Sequence, residues 1–386
     1  MAKYFIIAGE ASGDKHAAAL IEQLNAHDPE AQFSGLGGDL MAAAGCRLHR
    51  HYREMAFMAF VEVLRNMGRI PKNFQAAKAA LLQEKPDVLI LIDYPSFNLR
   101  MAAYCRQHLP GTKVVYYIPP KVWAWKRWRV HKIARLCDLV LGIFPFEPDF
   151  YKQYGYRCEY VGNPTAEQVM AFSRQYSVFS RQPSAFSIQY SDVSHQPQIA
   201  ILPGSRQSEV RHCLPVMLEA ARRMPGYQIV VTAAPGLDDA FYAPYLKEGE
   251  QLTRETYAAV QEAKAAIVNS GTATLETALL GCPQMAVYHL AAARLLGAIR
   301  WAQPLLFQIR YFTLVNILSG RETIRELVAN DFTADKVAEE LQRLLNDQAY
   351  TKNMLADYEH IQSILGTQAS AQTAAERIIH LITSRQ

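Results

Sequence analysis

No C-x-x-C pair occurs in this chain of 386 residues, although it holds six cysteines, at 46, 105, 137, 158, 213 and 282. They are scattered, several of them in apolar runs such as "LCDLVLGIF" and "LLGCPQMAV". Disulfide and metal roles are therefore set aside, and the thiols read as reduced core residues of a cytosolic protein. Long hydrophobic runs are missing too. Nothing reaches the roughly 18 to 20 uninterrupted apolar residues that span a bilayer, so any membrane role is expected to be peripheral. "MAKYFIIAGEASGD" at the N-terminus has a single lysine, a short apolar run that leads straight into a turn and no small-residue cleavage site; it reads as a first strand rather than a signal peptide. Neither sign of charge is in large excess: the net charge is +4, too small for wholesale nucleic-acid binding. No D-x-D stands at a strand end, Asp238 and Asp239 lie in the polar turn "PGLDDAF", and the eleven histidines show no ligand spacing. Neither a metal ion nor any other cofactor is expected. No internal repeat is detectable.

The chain is longer than one hydrophobic core usually serves, which predicts two domains. Short apolar strands alternate with helical patterns from the start: "KYFIIAG", "DVLILID", "KVVYYIP" and "DLVLGIF", separated by segments such as "SGDKHAAALIEQLNAH" and "IPKNFQAAKAALLQEK". That alternation implies an α/β domain with a parallel sheet covered on both faces. The pattern breaks between Phe172 and Gln198 in a stretch rich in Ser, Gln and Tyr, then restarts with "QIAILPGS", "YQIVVTAA", "KAAIVNSG" and "PQMAVYHL" as a second parallel sheet. From Thr333 onward amphipathic helices follow without a strand between them, and they are expected to cross back onto the first lobe. The expected division is 1–171 for a first lobe, 172–197 for a linker or insertion, 198–345 for a second lobe and 346–386 for C-terminal helices.

Ligands of doubly wound sheets sit beyond the carboxyl ends of the strands, where helix N-termini offer unpaired N–H groups. Three loops suit that position. "GEASGD", Gly9 to Asp14, follows the first strand, with Ser12 and Asp14 as candidate helix caps; a plain capped turn is the alternative. "LPGSRQSEV" has Pro203 and Gly204 to set a turn, Ser205 to cap a helix, and Arg206 to carry a permanent charge to where a phosphate would rest. The alternative is a surface arginine in an ordinary loop. "NSGTATLETALLG", Asn269 to Gly281, is a strand, a small hydroxylated turn and a helix, with Glu276 placed to accept hydrogen bonds from ribose hydroxyls or, alternatively, to complete a capping box. A further carboxylate stands out in "DVLILIDYPSFNLR": a strand buried on both faces ends on Asp93, followed by Pro95. The end of the strand is where the sheet stops and a cleft begins, so Asp93 is expected to point at ligand rather than into the core. Capping of a helix that begins near Asn98 is the alternative. Two parallel lobes with phosphate-cradling turns facing a cleft describe a nucleotide-sugar transferase of the GT-B architecture.

Two other segments bear on partners. "KVWAWKRWRVHKIAR", Lys121 to Arg135, holds six Lys or Arg, three Trp and no acid. It suits anionic head groups or single-stranded nucleic acid, or else buries its tryptophans and leaves the charges as a solvated face. "MAFMAFVEVLRNMGRI", Met55 to Ile70, is more apolar than a surface helix needs and suggests acyl-chain contact, a buried core helix being the alternative.

The stretches "AGEASGD", "LIDYPSFN", "VWAW", "FPFE", "VGNP", "LPGSR.SEV", "SGTATLE" and "NILSGRE" fall in that order from residue 8 to residue 322. On them the chain resembles the lipid-A-disaccharide synthase family. The resemblance implies an inverting transfer that joins UDP-2,3-diacylglucosamine to 2,3-diacylglucosamine 1-phosphate, releases UDP and makes the β-1,6 disaccharide of lipid A. It implies that UDP is held by Arg206, Ser270, Thr272 and Glu276, with Asn316 near the cleft. Glu10, Ser12 and Asp93 would face the acceptor, with Asp93 and Glu10 as the catalytic candidates: the implied reaction needs a base, which Asp93 suits if partial burial raises its pKa, a purely acceptor-positioning role being the alternative. It also implies a cytoplasmic enzyme peripheral to the inner face of the cytoplasmic membrane, with no nucleic-acid partner and homo-oligomerisation left open. The chain departs from the family's usual pattern at Pro120 and Lys121, where serines are common before "VWAW". The competing readings are another two-lobed UDP-sugar enzyme, such as a UDP-N-acetylglucosamine 2-epimerase, and an RNA-binding module.

Overall fold

The computed structural model describes residues 1–55, 69–124, 126–181, 196–289 and 310–384. The chain divides into two compact units, Met1–Pro164 with Thr367–Gln386, and Thr165–Gly366.

The first unit is built on a seven-stranded, wholly parallel sheet: β1 (Lys3–Ala8), β2 (Gln32–Gly37), β3 (Arg47–His51), β4 (Val88–Ile92), β5 (Lys113–Tyr117), β6 (Leu139–Gly142) and β7 (Glu159–Tyr160), in the order 3-2-1-4-5-6-7. The central strands β1 and β4 read FIIA and VLILI because both their faces are covered by helices, and Phe5 to Ala8 and Val88 to Ile92 are fully buried. The alanine-rich helix Ala11–His27 lays Ala17, Leu20, Ile21 and Leu24 on one face. The C-terminal helix Ser370–Thr383 packs beside it, placing Ala374, Ala375 and Ile378 in the same core, and the Ser370 hydroxyl meets the Tyr117 hydroxyl at 3.0 Å. Of the C-terminal helices expected to cross back, only this last one belongs to the first sheet; the two before it lie in the second unit.

The second unit has a six-stranded parallel sheet of β8 (Gln198–Leu202), β9 (Gln228–Thr232), β10 (Gln251–Thr253), β11 (Ala263–Asn269), β12 (Gln284–Tyr288) and β13 (Glu326–Val328), in the order 10-9-8-11-12-13. The helices Ala334–Asn346 and Gln348–Leu365 close it, and Val337, Leu341, Leu344, Ile361 and Leu365 supply its buried apolar stripe.

Both sheets reverse their winding once, between β1 and β4 in the first and between β8 and β11 in the second. In a doubly wound sheet the loops at such a reversal diverge to opposite faces and leave a crevice at the carboxyl edge. The loops that follow these four strands are "GEASGD", "DYPS", "LPGSR" and "NSGT", three of which the sequence singles out for phosphate or ligand contact and the fourth for Asp93.

The expected break after Phe172 is helical where it is described: one helix runs Pro164–Arg181, with the Phe172 and Tyr176 rings tilted together at 5.6 Å. Residues 182–195, and most of the apolar segment Met55–Ile70, lie outside the described residues. Five of the six cysteines are buried, Cys137 is half-buried, and none is paired. Among the described residues no helix is long and apolar enough to cross a membrane.

Candidate functional site

In the first unit the loops after β1 and β4 are locked together by a close approach. A Cβ on Gly9 would stand 2.3 Å from the Tyr94 ring, so only glycine lets that ring lie on the β1 loop. Asp93 and Tyr94 are both left-handed, each with φ of 44°. Two consecutive non-glycine residues in this region carry roughly 1–3 kcal/mol of strain apiece, and they persist only where the surroundings over-determine them. Here the Asp93 N–H donates to the Ile118 carbonyl at 3.2 Å. The Asp93 carbonyl accepts from the Asn98 amide at 2.8 Å and from the Tyr116 hydroxyl at 2.7 Å. With its backbone spoken for, Asp93 projects a half-buried carboxylate beyond the sheet. Burial and then the nearby Glu10 raise its pKa to about 6, against the opposing pull of the Lys121 ammonium and the Tyr94 N–H.

Several sequence expectations are corrected here. The helix after β4 starts at Pro95, not near Asn98, and no side chain caps it. Asn98 is buried, and its amide holds the Ile92 and Asp93 carbonyls. Neither Ser12 nor Asp14 caps the helix Ala11–His27, whose N-cap is Glu10. The Ser12 hydroxyl donates to Glu10 at 2.8 Å, while Asp14 is buried and accepts from the N–H groups of Gly38, Leu40 and Met41 at 2.7, 3.1 and 3.1 Å. Asp14 therefore fastens the loop after β2. Exposed Glu10 and Ser12 remain beside the β1/β4 reversal with half-buried Asp93.

Three quoted motifs prove to share one structural role. Glu147 of "FPFE" is 1% exposed and accepts from the Ile143 and Phe144 N–H groups at 2.8 and 2.9 Å and from the indole N–H of Trp123 in "VWAW" at 3.2 Å. Buried Asn163 of "VGNP" donates to the Ile143 carbonyl at 3.0 Å. Trp123 also meets Phe144 and Phe146 edge-on. The loops after β5 and β6 are thereby fixed to each other, a role the sequence reading missed; a carboxylate in an otherwise aromatic turn was the available signal. Trp128, by contrast, is 63% exposed, with Arg129 against its ring.

In the second unit Gly204 has φ of +114°, and a Cβ there would collide with the side chains of Asn269 and Glu209. That proximity brings the two loops of the β8/β11 reversal together. Ser205 does not cap the following helix Gln207–Ala221. Arg206 is its N-cap, and the Glu209 carboxylate accepts from the N–H groups of Ser205 and Arg206 at 3.0 and 3.3 Å. The Arg206 side chain is 75% exposed and touches Glu209 at 3.5 Å. Across the reversal, Ser270 is half-buried, and Gly271 and Thr272 are exposed at the start of the helix Thr272–Leu279. Glu276 is no capping-box partner: its carboxylate accepts from the Tyr257 hydroxyl at 2.8 Å, and it shares a helix face with Thr272 four residues earlier. Arg206, Ser270, Thr272 and Glu276 are thus brought to one edge of one sheet.

Asn316 is different. It is fully buried; its amide donates to the Ile324 carbonyl and Glu326 at 2.8 and 2.9 Å, and its oxygen accepts from the N–H groups of Thr323 and Ile324 at 2.8 and 2.9 Å. With that hydrogen-bonding capacity used, it ties the "NILSGRE" turn rather than meeting a ligand. Among the described residues no three His, Cys, Asp or Glu side chains converge to hold a metal ion.

A family model described as lipid-A-disaccharide synthetase matches residues 4–379. The lipid-A-disaccharide synthase of Myxococcus xanthus (strain DK1622) is 36% identical over 393 residues, covering 98% of this chain and 97% of its own length. Among solved structures, the UDP-GlcNAc 2-epimerase of Neisseria meningitidis bound to UDP-GlcNAc superposes with a TM-score of 0.59 at 10% identity, over 98% of this chain and 99% of that one. The glycotransferase of kitacinnamycin does so with a TM-score of 0.58 at 12% identity, over 98% of each chain. At such identities the likeness to the solved structures is one of fold alone, the GT-B architecture, and the epimerase match carries no epimerase activity to this chain. The nearly full-length matches decide the family: the chain belongs to the lipid-A-disaccharide synthase family, glycosyltransferases of lipid A biosynthesis.

Proposed function

We propose that the protein condenses UDP-2,3-diacylglucosamine with 2,3-diacylglucosamine 1-phosphate, with inversion at the anomeric carbon, to give lipid A disaccharide 1-phosphate and UDP. The observation that carries this reading is Asp93, a half-buried carboxylate on a strained, over-determined turn at the winding reversal, with a pKa raised to about 6. Such a group takes a proton more readily than a solvated aspartate and is still ionised at neutral pH. Asp93 accepts the proton of the acceptor's 6-hydroxyl as that oxygen attacks the donor's anomeric carbon from the face opposite the diphosphate. The bond to the diphosphate breaks, and its electron pair leaves with UDP. The Arg206 guanidinium and the N-terminus of the helix Thr272–Leu279 meet the charge on the leaving group, while Glu276 accepts from the ribose hydroxyls. Supplying the acylated UDP-sugar with and without acylated acceptor tests the reading. Disaccharide and UDP should appear only when both are present, and release of a 2-epimer from UDP-N-acetylglucosamine would sink it.

Arg206→Ala is expected to weaken UDP binding by about 1.5–3 kcal/mol, roughly ten- to a hundredfold in Kd, because a charge-assisted contact to a diphosphate is lost. Titration calorimetry with UDP checks this, and an unchanged Kd refutes the assignment. The exposure of Trp128 beside the basic helix Arg129–Leu136 supports peripheral attachment to an anionic membrane surface. Each cationic side chain near such a surface adds about 1 kcal/mol. Co-sedimentation with anionic vesicles should therefore fall as salt is raised, whereas equal binding to neutral vesicles would remove the electrostatic part of this reading.

A further inference from the structure

Glu276 does not stand alone on its helix face. The Tyr257 hydroxyl donates to Glu276 Oε1 at 2.8 Å, from the short helix Thr256–Glu262 that precedes β11. The ring that carries this hydroxyl is itself held: Phe172 meets it edge-on at 5.3 Å with an interplanar angle of 73°, and Phe172 packs in turn against Tyr176 in a tilted arrangement, with the Tyr176 hydroxyl donating to Glu262 at 2.6 Å on the same short helix. The phenol is a donor at all working pH, since burial and the Glu276 charge both raise its pKa. A glutamate on a helix surface ordinarily samples several rotamers, and fixing one of them is worth most where the carboxylate must meet two adjacent hydroxyls at once. An ionised carboxylate has about four acceptor positions, and the bond from Tyr257 takes one of them while orienting the group.

We propose that Tyr257 is a positioning residue that acts through Glu276 to make this unit select a ribonucleoside diphosphate over its deoxy counterparts. The inference rests on the reading of Glu276 as the ribose acceptor. It extends that reading to a residue outside every motif quoted from the sequence: Tyr257 lies in "TRETYAAVQEA", where neither spacing nor charge marks it.

The test compares the affinity of the full chain for UDP and for 2′,3′-dideoxyuridine diphosphate by calorimetry, in the wild type, Tyr257→Phe and Glu276→Gln. The ratio of the two affinities is internal to each variant, so a smaller folded fraction cancels from it. The wild type should prefer UDP by about tenfold or more, the usual effect of hydrogen bonds to a charged group. Tyr257→Phe keeps the ring on Phe172 and removes only the donor. It should shrink the preference by about fivefold by weakening UDP alone, as is usual when an orienting hydrogen bond is lost, and Glu276→Gln should shrink it at least as far. A wild type without preference, or a Glu276→Gln variant that keeps it, overturns the ribose reading itself. Loss of preference in Glu276→Gln but not in Tyr257→Phe leaves that reading standing and overturns the role of Tyr257. Equal weakening of both ligands in Tyr257→Phe, or failure of that variant to fold, also overturns it, because the hydroxyl would then serve the fold rather than the ligand.

Discussion

Replacing Asp93 by asparagine is expected to lower turnover by about 10² to 10⁴, some 2.7–5.5 kcal/mol in activation free energy, while UDP binding is unchanged. Asparagine keeps the shape and one acceptor oxygen but cannot take up the proton of the attacking hydroxyl. The backbone contacts that hold the turn come from Asn98, Tyr116 and Ile118, and all survive the change. Stability provides the control. The folded pKa of about 6 lies above the ordinary aspartate value of 3.8, so folding with an ionised Asp93 carries a penalty that is fully present above about pH 6 and is relieved as pH falls. Asp93→Asn should therefore melt no lower than the wild type at pH 7, and a loss of rate cannot be laid to unfolding. The same pKa fixes the direction of the pH profile: kcat/KM of the wild type should rise with pH through about 6 and level off above it, and that acid limb should vanish in the variant. A folded Asp93→Asn protein with near-normal turnover would transfer the role of base to Glu10. Asp14, equally close in sequence to the β1 turn, is no substitute, since its carboxylate is buried under three backbone N–H groups.

The two sheets were legible because their central strands are buried on both faces, which forces continuous apolar runs that periodicity detects. Strands at or next to an edge carry less of that signal. β2 reads QFSGLG and β3 reads RLHRH, while β7, β10 and β13 have only two or three residues. The candidate loops could be read because glycine, small hydroxyls and a lone arginine at strand ends have few other uses together, and the winding order then explains why those loops cluster. What escaped the sequence was the assignment of each polar side chain to ligand or to fold. Asn316 and Asp14 resemble ligand-contacting residues in one dimension, yet Asn316 has its hydrogen bonds taken up by backbone groups 7 to 8 residues away and the Glu326 carboxylate, and Asp14 by backbone groups 24 to 27 residues away. Tyr257 shows the converse, because its partner lies 19 residues on and no local pattern links them.

Glu147→Ala should be the most destabilising change among the side chains named here, about 3 kcal/mol or more, with the melting temperature falling by roughly 6–12 °C. The carboxylate is the acceptor for two buried backbone N–H groups and one indole N–H, and each donor left without a partner in a dry site costs about 1–3 kcal/mol. Burial of the carboxylate itself offsets part of that sum, for desolvation pushes its pKa up to about 7 in spite of the three hydrogen bonds and Lys121. The sign of the pH dependence follows. With the folded value above the ordinary 4.5, the stability that Glu147 contributes is largest at low pH and declines as pH rises from about 4.5 to about 7, above which it is constant. The gap in melting temperature between wild type and Glu147→Ala should accordingly be wider at pH 5 than at pH 8. Glu147→Gln separates packing from hydrogen bonding. Its amide oxygen can still accept from Ile143 and Phe144, but its NH2 group confronts the Trp123 N–H, donor against donor, so about half of the loss should remain and the pH dependence should disappear. Because Trp123 and Lys121 share the loop after β5, the Glu147→Ala variant should also free Lys121 from its place near Asp93, removing a positive charge that lowers the Asp93 pKa and moving the acid limb of kcat/KM upward. Thermal unfolding followed by circular dichroism at the two pH values checks the first part and a pH–rate profile the second; a variant that melts with the wild type at pH 5 would show that Glu147 does not hold these loops.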